Sequence, residues 1–162
     1  AYDPLSCQKR LGKVYQDIPE EFFKLPKKEI QRKSYQNTIF SENLIHTTSF
    51  GMVFRSKSEA LIAELLYRAG IPFTYETRLI LMDEYPDFTI ILLNGETVYW
   101  EHCGRMDLSD YRQKIFKKLA VYHFNNIYPP KNLILTMDSK SGGIDIDCIQ
   151  QIITQQLLPL FV

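Results

Sequence analysis

Cysteine is scarce in this 162-residue chain. Cys7, Cys103 and Cys148 make an odd set of three with no Cys-x-x-Cys pair. That excludes a disulfide scaffold and fits a reducing cytosol, so a cytoplasmic location is expected. The cysteines share no zinc-ligand spacing with His46, His102 and His123, which excludes a structural zinc site. Long apolar runs are missing as well. No stretch approaches the roughly 18 uninterrupted apolar residues that a membrane-spanning helix needs, so no membrane is expected as a partner. The opening Ala-Tyr-Asp-Pro-Leu-Ser-Cys has neither an initiator Met nor a charged-then-apolar signal layout, and we expect a fragment or a domain of a larger chain. Repeats and low-complexity tracts are absent. With 45% hydrophobic, 23% charged and 13% aromatic residues, the composition describes one domain with a real core rather than a disordered tail.

The net charge is zero, but its parts are unequal. Residues 1–58 hold 10 Lys/Arg against 6 Asp/Glu, residues 59–110 hold 3 against 10, and residues 111–162 hold 6 against 3. Carboxylates gathered in the middle third suit a cation site, and basic flanks suit an anionic ligand; scattered surface charge is the plain alternative. In the first third, Pro4, Pro19 and Pro26 cut the chain into short pieces. We read residues 1–50 as an arm or a set of short helices packed on a core domain of residues 51–162. Within the arm, Lys27, Lys28, Arg32 and Lys33 form either a solvated face or a phosphate-contacting surface for nucleic acid.

From Ser56 the pattern sharpens. Ser56 or Ser58 caps a helix that Gly70-Ile71-Pro72 ends, with Leu61, Ile62, Leu65, Leu66 and Ala69 on its buried side. Phe73 to Met82 alternates as a strand. Phe88 to Leu93 is a second strand, Asn94-Gly95 its hairpin turn, and Val98 to Cys103 the returning strand. A helix over Ser109–Asn125, a short strand over Leu133–Thr136 and a helix over Asp145–Leu158 complete the order. A strand that returns after a crossover helix lies parallel to its partner, so the fold class is α/β, with a mixed sheet flanked by helices. Tyr99, Trp100, Tyr111 and Phe116 read as core rather than base-stacking platforms.

Two acids stand out. Asp87 opens one hairpin strand and Glu101 closes the other, at nearly equal height away from the turn. Like charges on neighbouring strands are costly unless a cation neutralises them, and Mg²⁺ prefers such oxygen ligands. Pro86-Asp87-Phe88, a hairpin, Glu101-His102-Cys103 and a preceding helix bearing Glu59 together resemble the PD-(D/E)XK nuclease superfamily, over roughly residues 52–140. The resemblance implies a restriction-endonuclease-like core: a helix, a three-strand meander, a helix and a strand, here with an added N-terminal arm and C-terminal helix. It also implies Asp87 and Glu101 as the metal pair, the backbone carbonyl of His102 as a further ligand, and Glu59 as a ligand directly or through water.

The chain departs from the family at the motif lysine, where Cys103 stands. Some members move that lysine to the following helix, which here offers Lys114, Lys117 and Lys118. Lys114, Lys118 and Tyr122 recur at four-residue spacing, and Lys118 through Tyr122 resembles the Gln-x-x-x-Tyr arrangement of some nucleases. Lys118 is therefore the first candidate and Lys114 the second; as a half-exposed lysine, Lys118 should be replaceable with little effect on folding. The side chain of His102 should leave the sheet on the face opposite Glu101 and meet a helix. The implied activity is Mg²⁺-dependent phosphodiester hydrolysis by a DNA endonuclease, with Mn²⁺ as a substitute. The alternative is an inactive nuclease-fold module that binds nucleic acid or a partner protein. Cutting both strands of a duplex would favour a homodimer, within a mobile-element, phage or defence system.

Overall fold

The computed structural model describes residues 44–139 and 142–161. The expected short helix and basic arm before residue 44, including Lys27, Lys28, Arg32 and Lys33, lie outside the described residues. The first elements are a small antiparallel pair, β1 (His46–Thr47) and β2 (Val53–Phe54). Helix α1 (Lys57–Ala69) begins where the Ser56 hydroxyl accepts the Glu59 N–H, and ends where Gly70 turns left-handed at φ 73°. Both ends match the capping residues of the sequence.

The main sheet has the order β3-β4-β5-β6, with β3 (Thr74–Tyr75), β4 (Phe88–Ile91), β5 (Thr97–Cys103) and β6 (Leu133–Met137). The first three strands are antiparallel. Helix α2 (Ser109–Phe124) then carries the chain over so that β6 lies parallel to β5. The last helix, α3 (Ile146–Ile152), starts on an Asp145 cap and loosens into a π turn (Ile153–Leu157) and a 3₁₀ turn (Leu158–Phe161). Among the described residues this is a mixed α/β domain with a four-stranded mixed sheet flanked by helices. Phe54, Ile62, Leu66, Phe73, Phe88, Trp100, Ile149 and Leu157 form the larger core under α1 and α3. Tyr122, Ile127 and Leu133 form a smaller one under α2.

The strand expected over Phe73–Met82 shrinks to Thr74–Tyr75. Glu76 takes a positive φ of 45° and gives its N–H to the Asp87 carbonyl at 3.1 Å, which ends the ladder. Beyond it, among the described residues, the segment forms only an isolated antiparallel bridge, Leu79 to Glu84. Leu79 and Met82 instead turn inward onto the smaller core, while Ile80 and Leu81 stand exposed at the tip of a tight turn. Phe116, expected in the core, is 56% exposed, because α2 buries Ile115 and Tyr122 instead.

The β4–β5 hairpin sets the register of the two central strands. Its closing pair is Leu92–Glu96, with hydrogen bonds from Leu92 N–H to the Glu96 carbonyl at 2.8 Å and from Gly95 N–H to the Leu92 carbonyl at 3.0 Å. Leu93, Asn94 and Gly95 therefore make a three-residue loop, with Gly95 at φ 86° supplying the left-handed residue. Phe88 consequently pairs with Trp100, and the register continued by one residue sets Asp87 opposite Glu101.

Candidate active site

Directly opposed residues of an antiparallel pair share a face, so Asp87 and Glu101 both point to the α2 side of the sheet. Glu101 is 3% exposed. Asp87 is held from behind, because the backbone N–H of His102 donates to its Oδ2 at 2.7 Å. Strand alternation turns the His102 carbonyl towards that same β4 edge. Burial raises the pKa of Asp87 well above the usual carboxylate range, and the charges of Glu101 and Glu59 push it further. Burial also raises Glu101, against the pull of Lys118.

Lys118 reaches this pair from α2. Its ammonium donates to Glu101 Oε1 and, at 2.8 Å, to the Tyr85 carbonyl; the Tyr122 hydroxyl lies 3.4 Å from Glu101 Oε2. Burial opposes the lysine's charge, but the attraction of Glu101 and Asp87 outweighs it and raises Lys118 above its ordinary value. Lys118 is thus a largely buried member of an ion pair, at 18% side-chain exposure, and not the half-exposed lysine expected from helical spacing. Its ammonium stands 5.7 Å from the centre of the Tyr122 ring while it meets the acids. Lys114 is exposed and joins none of these contacts among the described residues.

Glu59 sits in the first turn of α1 and accepts the Tyr75 hydroxyl at 2.5 Å; the same hydroxyl accepts the Arg55 N–H at 3.2 Å. Its charge is felt at Asp87, so the α1 acid borders the site. Cys103 follows Glu101 on the same face and is buried. Burial, with Glu101 and Asp87 nearby, pushes its thiol up to about 12, so it brings no charge to the acid pair. Tyr111, likewise pushed up to about 12 by burial and the neighbouring thiol and acids, flanks the same spot.

On the reverse face, the His102 ring makes contacts that strand alternation predicts only in direction. Its Nδ1 lies 2.9 Å from Thr136 Oγ1 and its Nε2 3.1 Å from Asp138 Oδ1. The expected helix partner is replaced by β6 and the residue just beyond it, with α1 joined through Asp138, which accepts the Ser58 hydroxyl at 3.3 Å. Thr136 Oγ1 also accepts the Trp100 indole N–H at 2.9 Å. Gly104 makes room for this network, because a Cβ there would stand 3.2 Å from Asp138 Oδ2 and 3.9 Å from the His102 ring. The sequence pattern alone did not single out Thr136, Asp138 or Gly104. Its one signal was the period-two placement of Trp100 and His102, two polar groups on an inward face that need partners.

The donor set suits a hard cation. Two carboxylates of raised pKa share one sheet face beside a peptide carbonyl, and a divalent ion would relieve their mutual repulsion. Among the described residues no three His, Cys, Asp or Glu side chains gather as a complete metal cage. The remaining ligands would be water or substrate oxygens, the usual manner of Mg²⁺.

No family model matches the chain, and no solved structure matches it. It is similar to an uncharacterised protein of Methanocaldococcus jannaschii, at 33% identity over 46% of this chain and 6% of that protein. The chain thus spans a small part of the length of this relative.

Proposed function

We propose that this domain hydrolyses phosphodiester bonds of nucleic acid, most simply as a Mg²⁺-dependent DNA endonuclease with a restriction-endonuclease-like core of the PD-(D/E)XK type. The observation that carries the reading is the delivery of Lys118 from α2 onto the Asp87–Glu101 face, next to a motif position that Cys103 leaves uncharged. Asp87, Glu101 and the His102 carbonyl would hold the ion, with Glu59 acting at the rim. The ion's contribution would be to polarise the phosphate and lower the pKa of a bound water. Lys118 offsets negative charge that builds on the phosphate and orients the attacking water by donating to it. Tyr122 and the Tyr85 carbonyl hold the lysine and its carboxylate in line, and the His102 N–H fixes the rotamer of Asp87.

Nicking of supercoiled DNA with Mg²⁺ or Mn²⁺ tests this, using Lys118→Ala beside Lys117→Ala, whose side chain lies about 100° round the helix. Loss in the first variant alone, in protein shown by circular dichroism to be folded, supports the reading. Equal activity of the two removes Lys118 from the mechanism. A second reading, a nuclease-fold module that binds without cutting, is favoured by one observation. Both Glu101 oxygens already have partners in Lys118 and Tyr122. Absence of cleavage across DNA and RNA substrates, with binding retained, selects it.

A further inference from the structure

We propose that the outward face of α2 binds single-stranded DNA, with Phe116 and Phe124 as platforms on which two unpaired bases stack. The polymer is taken from the nuclease reading, on which this inference rests; the surface itself stands on separate residues. Phe116 is 56% exposed and Phe124 90% exposed. Eight residues of helix separate them by about 12 Å along the axis and about 80° around it, with exposed Ala120 between. Exposed apolar side chains standing singly need no partner, but two phenyl rings on one helix face, set among cations, make a surface that a stacking ligand can use.

Charge selects the partner. Arg112 and Lys117 are exposed about 40° and 100° round the helix from Phe116, and exposed Lys114 lies about 80° round it from Phe124. Helix α2 carries Arg112, Lys114, Lys117 and Lys118 against the one carboxylate Asp110 in its first turn, and Lys131 follows beyond its end with no Asp or Glu over residues 111–137. Among the described residues no carboxylate pairs with Lys114 or Lys117, and Arg112 Nη1 donates to the Met106 carbonyl at 3.0 Å. Beyond the C-terminal end of α2, the Lys131 ammonium stands 5.4 Å from the centre of the Tyr128 ring, extending the mixture of cations and aromatics. A polyanion answers such a surface. Duplex DNA would use the cations but hide its base faces from the phenyl rings, whereas an unpaired strand uses both. Lys118 leaves the same helix about 200° away from Phe116, so a strand on this face lies beside the acid pair rather than over it.

The test is fluorescence anisotropy of the intact chain with a labelled 15-nucleotide dT strand, the matched duplex and a rU strand. EDTA in the buffer keeps cleavage out of the measurement. The expected result is tighter binding of the dT strand than of the duplex, and a loss of roughly tenfold for each of Phe116→Ala and Phe124→Ala on the single strand alone. Phe116→Trp should retain affinity and show quenched emission on binding. Lys114→Gln with Lys117→Gln should flatten the salt dependence by roughly 0.7 log unit for each phosphate that the variant leaves unneutralised.

Single-strand affinity unchanged in both phenylalanine variants overturns the proposal. So does equal binding of duplex, preference for the rU strand, or sedimentation showing that the variants break a dimer instead. Cleavage by wild type with indifferent phenylalanine variants defeats this inference alone. Phenylalanine-dependent binding with no cleavage defeats the nuclease reading and leaves the surface standing.

Discussion

Replacing Lys118 by Met should turn the acid pair into a pH-dependent weakness. The change keeps most of the buried methylene volume and deletes the charge that Glu101 and Asp87 share. Both acids already hold their protons more tightly in the folded protein than in the unfolded chain, because burial disfavours the carboxylate. Such groups favour the folded state most below their unfolded values, and that contribution is lost as pH rises through the folded ones. Without Lys118 both acids move further up, and the losing window extends towards neutrality. The penalty has a ceiling, since the protein takes up a proton rather than keep an unpaired buried charge. Holding one carboxyl of ordinary value 4.5 protonated at pH 7 takes about 3.4 kcal/mol, at 1.36 kcal/mol per unit. Loss of up to about 3 kcal/mol at pH 7 is therefore expected, at the low end of what breaking a buried pair costs. It should shrink towards pH 5. Urea unfolding of wild type and Lys118→Met at pH 5, 6, 7 and 8 measures the gap, and Glu101→Gln in the Met background should recover part of it. A gap of constant size across that range, or one that widens on acidification, would refute the electrostatic account.

Neighbouring features carry their own expectations. Cys103→Lys should restore nicking to the Lys118→Ala protein, because residue 103 shares the face of Glu101; no recovery in folded double variant argues against a lysine acting there. Gly104→Ala should lower stability by about 1 kcal/mol, through a Cβ pressed against the Asp138 carboxylate, as read by thermal melting. Charge reversal at Lys27, Lys28, Arg32 and Lys33 should reduce the salt slope of duplex binding by roughly 0.9 for each phosphate they neutralise. An unchanged slope would mark those residues as a solvated face.

The sequence carried local signals well and register poorly. Ser56 and Gly70 bound α1 because capping is a property of one or two residues and their own backbone. The parallel placement of β6 was legible because a crossover helix leaves little choice. Asn94-Gly95 marked the hairpin but not its loop length. A two-residue turn on that dipeptide would pair Asp87 with His102 and send Glu101 to the other face; the extra residue, Leu93, is what brings the acids together. The extended reading of Phe73–Met82 failed because alternation records which side chains differ, not whether a partner strand exists. Lys118 was found by its spacing from Tyr122, but its burial depends on Tyr85 and Glu101, 33 and 17 residues away, which no helical period contains. Phe116 misled for a related reason, since its neighbour Ile115 takes the buried position.

The position of Trp100 gives the domain an internal optical gauge. It is the single tryptophan of the chain, fully buried, next to Glu101 in β5, and its indole shares the Thr136 hydroxyl with the His102 ring. Any event that shifts the end of β5, such as loading a cation between Asp87 and Glu101 or protonating either acid, travels through one peptide and one shared hydroxyl to this chromophore. Its emission therefore reads the acid face from the dry side of the sheet, with no label attached and no substrate consumed. On the nuclease reading, occupancy of the acid pair would then be measurable through this emission even where cleavage is silent.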